Sequence, residues 1–97
     1  MQLRPTKEFS NWLGQLKDRR GRAKIIARLD RLEDGNPGNS RSVGEGVVEL
    51  KIDFGPGYRV YYVQRREVFI LLLCGGDKST QVKDIRRAKL IAEQLTD

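Results

Sequence analysis

The spacing of apolar residues changes along the chain, and each change marks a new element. Met1 to Arg4 has the length of a short first strand, which Pro5 stops. Phe9, Trp12, Leu13 and Leu16 then recur at steps of three, one and three, the spacing of one helix face. Thr6 stands before them as an N-cap, its hydroxyl able to accept from the free amides of the first turn. Asp18 is placed to cap a second helix with the apolar stripe Ile25, Ile26, Leu29 and Leu32, and Gly35 suits its left-handed end. Asn36-Pro37-Gly38-Asn39-Ser40 is a loop by turn chemistry. Together these predict an antiparallel helical hairpin.

From Gly46 the period falls to two. Val48, Leu50 and Ile52 alternate with Glu49, Lys51 and Asp53, which predicts a strand with one buried face. Phe54-Gly55-Pro56-Gly57 turns the chain, and Tyr58, Val60 and Tyr62 alternate with Arg59, Tyr61 and Val63 on the returning strand. After a second turn at Gln64-Arg65-Arg66-Glu67, the run Val68 to Leu73 is apolar at every position, as a central strand covered on both faces would be. Cys74 to Ser79 reads as a loop, and Val82, Ile85, Ala88, Ala92 and Leu95 mark the inner side of a last helix. The expected fold is α+β: an N-terminal helical hairpin and a C-terminal helix packed on a small, twisted, mainly antiparallel sheet.

Ninety-seven residues suffice for one domain, 1–97, since a second core would need roughly 100 more. The longest apolar run, Val68 to Cys74, falls short of the ~20 residues of a membrane span, and no membrane partner is expected. The opening MQLRPTKEF lacks the apolar stretch of a signal peptide. A single cysteine, Cys74, rules out an internal disulfide or a thiolate cluster for zinc, and fits a reduced, cytoplasmic setting. The complete lack of histidine matters more. It excludes Ser-His-Asp hydrolysis, Cys-His proteolysis and histidine-based RNA cleavage. Catalysis would have to rest on Lys, Arg, Asp, Glu, Tyr or backbone groups, with no cofactor expected.

The net charge is +6, with 19 basic and 13 acidic side chains. Residues 1–42 hold ten basic and five acidic groups, residues 43–80 five of each, and residues 81–97 four basic and three acidic. The excess therefore sits largely on the second helix, at Arg19, Arg20, Arg22, Lys24, Arg28 and Arg31. It reads either as an electrostatic guide for RNA or an acidic partner, or as a solvated face opposite the apolar stripe.

The sheet segment is neutral, so its cations matter by position. If the 54–57 turn closes an ordinary hairpin, Lys51 and Arg59 lie on paired strands opposite the more apolar sets, and Lys78 enters from the loop after the central strand. Three converging cations repel one another, which an anionic ligand would explain. The plain alternative is three independent surface cations with partners such as Glu49 or Asp77. Gly75-Gly76 before the last helix can form a phosphate-binding nest or a simple turn. Tyr61 shares a face with Arg59 and can stack on a base or pack across strands. Trp12 and Cys74 read as core.

Two stretches, Gly46 to Tyr62 with its Glu49-Leu50-Lys51-Ile52 and Gly55-Pro56-Gly57-Tyr58-Arg59 runs, and Leu71 to Ile85 with Gly75-Gly76-Asp77-Lys78-Ser79-Thr80-Gln81, closely resemble the phage-derived, HigB-like branch of the RelE/ParE toxin superfamily, the "addiction module killer" proteins. Phe9-x-x-Trp12-Leu13 and Gly35-Asn36-Pro37-Gly38 extend the likeness over nearly the whole chain. The resemblance implies the toxin of a type II toxin–antitoxin pair, neutralised by an antitoxin that often carries a helix-turn-helix domain. It also implies a metal-independent mRNA endoribonuclease, often ribosome-dependent, in which the ribose 2′-hydroxyl attacks the adjacent phosphate.

By position, Arg59 resembles a bidentate phosphate clamp, Lys51 a base or transition-state stabiliser, and Lys78 a stabiliser of the leaving oxygen. Like charges at Arg59 and Lys78 would favour a neutral Lys51 amine. Some relatives place a tyrosine or histidine early in the last helix, where this chain has Lys83 and Asp84. Asp84 is then either an acid–base group or a helix-orienting one. Arg19, Arg20, Arg22, Tyr61 and Lys83 are the expected RNA contacts. The superfamily scaffold also serves gyrase inhibitors without chemistry, and an inactive antitoxin-binding remnant is a third reading.

Overall fold

The structure is a computed structural model that describes residues 1–67 and 69–95. The order is β1 (Gln2–Pro5), α1 (Lys7–Gln15), α2 (Arg19–Glu33), β2 (Ser40–Gly44), β3 (Val47–Ile52), β4 (Tyr58–Arg65), β5 (Phe69–Gly76), one 3-10 turn (Lys78–Thr80) and α3 (Gln81–Gln94). The five strands form one sheet in the order β1-β5-β4-β3-β2. β1 runs parallel to β5 and every other neighbouring pair is antiparallel. This is the α+β arrangement expected, consistent with a small RelE-like domain.

The predicted caps are in place. Thr6 Oγ1 accepts from the Phe9 amide at 3.0 Å, and Asp18 Oδ1 from the Gly21 amide at 2.9 Å. The Tyr58 hydroxyl also donates to Asp18 at 2.7 Å, and these two bonds hold the Asp18 carboxyl below its ordinary pKa. At the end of α2, Gly35 (φ +88°) lets its amide reach the Leu32 carbonyl while the Asn36 amide reaches Arg31, closing a Schellman motif.

Three expectations about the sheet need correction. The segment after the 36–40 loop forms a strand, β2, whose residues are half-buried or exposed and show no alternating apolar pattern. Hydrogen bonding to β3, not burial, defines it. β5 begins at Phe69, with Val68 outside the described residues, and runs on through Cys74-Gly75-Gly76, read above as loop. A Cβ at Gly75 would overlap the Trp12 ring and one at Gly76 the Asp84 carboxylate, so these glycines let a helix on each side sit directly on the strand.

β3 and β4 are also covered on both faces, not one. Phe9, Ile25, Leu29 and Leu32 from α1 and α2 pack with Leu50, Ile52, Tyr58, Val60, Tyr62, Ile70 and Leu72. On the opposite side Ala88, Ile91 and Ala92 of α3 pack with Val47, Tyr61, Val63, Leu73 and Cys74. A bulge makes this split possible: Tyr61 pairs with Cys74 and Tyr62 with Leu72, so Leu73 is the extra residue. Two successive side chains thereby join the α3 core. Ile26, Val82 and Leu95, expected to face inward, are exposed. Among the described residues no helix is long and apolar enough to cross a membrane.

Candidate functional site

The β3–β4 register makes Lys51 and Arg59 direct cross-strand partners, with Glu49 opposite Tyr61 two rungs further, the next pair on the same face. On the far side of β3, Arg41 of β2 is the partner of Glu49. These rungs form the floor of a cavity of about 310 Å³ on the α3 side of the sheet. Its walls are Asn39–Arg41, Glu49 and Lys51 of β3, Arg59 of β4, and Gln81 from the first turn of α3.

Glu49 organises this space. Its carboxylate is only 2% exposed. It accepts from Arg41 Nε on one oxygen, and from the Tyr61 hydroxyl and Gln81 Nε2 on the other, each at 2.9 Å. Arg59 Nε stands 3.7 Å away as an ion-pair partner. Burial pushes the Glu49 carboxyl up, but the bonds from Arg41, Gln81 and Tyr61 together outweigh it and hold the group below its ordinary value. The Tyr61 phenol is driven far above its usual range by burial and by Glu49.

Arg59 departs from the reading of an outward cation. It is 5% exposed, and its Nη1 donates to the Gly57 carbonyl at 2.6 Å. Lys51 is half-buried, and among the described residues no hydrogen bond or ion pair engages its ammonium. The cavity thus gathers three cations (Arg41, Lys51 and Arg59) around one carboxylate that already accepts three hydrogen bonds. An anion is the ligand such a space suits.

Lys78 lies beside this site without lining it. Its amide donates to the Pro56 carbonyl at 3.3 Å, and its Cβ is 3.5 Å from where a side chain on Gly57 would begin. With Lys83 and Arg86 it lines a neighbouring depression of about 360 Å³ that shares Gln81 with the cavity. Asp84 is placed outside both. It packs on Gly76 and accepts from the Thr80 hydroxyl; burial raises its carboxyl above the ordinary value, partly offset by that hydrogen bond.

Of the expected RNA contacts, Tyr61 must be withdrawn: it is 0% exposed and offers no ring face to a base. Arg19 and Arg20 are exposed on α2, across the sheet from the cavity, and Arg22 lines an apolar groove against α1. Arg28 is turned inward to the sheet instead of standing in the solvated array. The sequence reading missed Arg41 and Gln81, and took Glu49 for a mere counter-ion. The hairpin register carried the signal: it sets the phenol of Tyr61 across from the carboxylate of Glu49. Cys74 is the expected core thiol, pushed up to about 12 by burial.

Fold and site together define a small α+β domain of RelE-like architecture with a cavity on its sheet lined by Arg41, Lys51 and Arg59. The family model described as phage derived protein Gp49-like (DUF891) matches residues 11–97, and the chain belongs to that family. It is also similar to a protein of Haemophilus influenzae described as uncharacterized, 53% identical over 95 residues that cover 98% of this chain and 96% of the relative. No solved structure matches.

Proposed function

We propose that the protein is the toxin of a toxin–antitoxin pair and that it cuts RNA in the Arg41–Lys51–Arg59 cavity. The observation that carries this reading is the unengaged Lys51 ammonium beside the guanidinium groups of Arg41 and Arg59, with the carboxylate between them already accepting three hydrogen bonds. In the reaction the 2′-oxygen bonds to phosphorus and the bond to the 5′-oxygen breaks. A 2′,3′-cyclic phosphate and a 5′-hydroxyl end result. One proton leaves the 2′-hydroxyl and one reaches the departing oxygen, and Lys51 is the cavity group free to exchange it. Negative charge grows on the phosphoryl oxygens in the transition state, where preset cations act most strongly. Arg59, held by Gly57 and Glu49, acts as a fixed charge beneath the phosphate; Arg41 reaches it from the exposed rim. Phage-derived Gp49-like membership fits a toxin–antitoxin setting.

Expression without a neutralising partner, followed by transcriptome-wide mapping of 5′ ends, tests this. New cuts should arise in coding regions, and Lys51→Ala should lower cleavage by about 10²–10³-fold with the fold intact. Lys51 is a cleaner target than Arg59, whose removal would also take one of two ion-pair partners from the buried Glu49. Growth arrest with intact transcripts and inhibited DNA supercoiling would overturn the nuclease reading.

A further inference from the structure

Arg28 is a charged side chain with no carboxylate partner among the described residues, yet it is turned into the protein. Its guanidinium donates to three main-chain carbonyls: Lys51 at 2.6 Å, Pro37 at 3.0 Å and Asn39 at 3.2 Å. Its Nε is buried without a hydrogen-bond partner. Gly38 gives it room, since a Cβ there would stand 3.0 Å from Nη2, and the φ of +66° suits glycine. The Lys51 amide in turn donates to the Asn39 carbonyl at 3.0 Å. The peptide carrying Lys51 and the segment forming the outer wall of the cavity are therefore gripped by one planar group reaching across from α2.

Holding a half-buried guanidinium without a carboxylate is costly, and a neutral amide could bridge two of the carbonyls without a charge. What only an arginine supplies here is simultaneous reach to all three, plus a fixed positive charge one peptide behind Lys51. We infer that Arg28 is a positioning residue for the cavity: it sets the height of Lys51 relative to Arg59 and the width between Asn39 and the floor. The inference deepens the nuclease reading and rests on it for its catalytic arm alone.

The structure contains its own control. Arg65 also ties down main-chain carbonyls, those of Ala92 and Leu95 at the end of α3, at 2.7 and 2.9 Å, and it does not line the cavity. Arg28→Lys and Arg65→Lys each keep the charge and lose the multiple grip. In Arg28→Lys, exchange of the Lys51 amide should accelerate by roughly tenfold or more. On RNA, kcat should fall by about 10- to 100-fold with KM nearly unchanged, as for a misplaced catalytic group. In Arg65→Lys, with a matched loss of Tm, neither quantity should move. Equal effects of the two substitutions on Lys51 exchange and on kcat would overturn the inference. The exchange arm, repeated while titrating inorganic phosphate and following the Lys51 and Arg59 signals, needs no cleavage. If the wild-type protein leaves RNA intact, the nuclease reading fails; Arg28 as positioning residue then fails only if Lys51 exchange and phosphate affinity are unmoved in Arg28→Lys.

Discussion

Glu49 shows how much one buried side chain can decide. From β3 it draws together groups from two neighbouring strands and a helix, and nothing else in the cavity takes the Arg41, Tyr61 and Gln81 donors. Glu49→Gln keeps the shape but removes the charge and one acceptor, and should cost about 3 kcal/mol, read by urea unfolding. The pH dependence should change with it. The folded-state pKa of Glu49 lies below its ordinary 4.5, so its stabilisation is complete at neutral pH and is lost as the pH falls below about 4.5 through the folded value. Glu49→Gln should therefore flatten the acid side of the stability curve, and an unchanged slope between neutral pH and pH 3 would count against this account. The chain itself hides the role. Alternation sorts Glu49 with Lys51 and Asp53 as an outward set, and only the cover supplied by α3 makes it a buried hub.

At the level of elements, the glycines of β5 carry a clear expectation. Trp12 lies against Gly75 and closes the α1 core with Phe9 at 5.8 Å and Tyr58 at 6.4 Å between ring centroids. Gly75→Ala should cost about 1–3 kcal/mol through overpacking, and much of that penalty should vanish in a Trp12→Leu background, read by a double-mutant cycle of thermal unfolding. The two N-terminal helices, the strand from Tyr58 to Val63 and the hairpin joining Lys51 to Arg59 were legible because their caps, turns and periods agree with one another, while Gln64 and Arg65, read as turn, extend that strand. β2 was not: Ser40, Arg41 and Ser42 hold it by main-chain pairing to β3 and bury almost nothing. Gly75 and Gly76 misled for a related reason. Glycine before a helix signals a turn, and here it serves close approach within a strand. The Lys51–Arg59 pairing was readable from the turn alone, whereas the inward turn of Arg28 depends on carbonyls that no side-chain pattern records.

Across the whole molecule, the layers separate two kinds of surface. The α3 side holds the cationic cavity; the α1–α2 side holds an apolar groove that includes Phe9, Leu13, Ile26 and Leu29. At the sheet edge Thr6 ties the start of α1 to β5. Besides capping α1 it donates its hydroxyl to the Leu73 carbonyl at 2.7 Å, and its amide bonds to Leu72. The residue that the bulge withdraws from β4 thus finds its partner 67 positions earlier in the chain. A link of that span requires a large loop to close, so the start of the chain is expected to dock late. Thr6→Val should accordingly hasten unfolding several-fold while leaving the refolding rate nearly unchanged in a stopped-flow chevron. That result would make the parallel edge strand a latch, fastened last and released first, with the lifetime of the native state governed from the end of the chain farthest in sequence from α3.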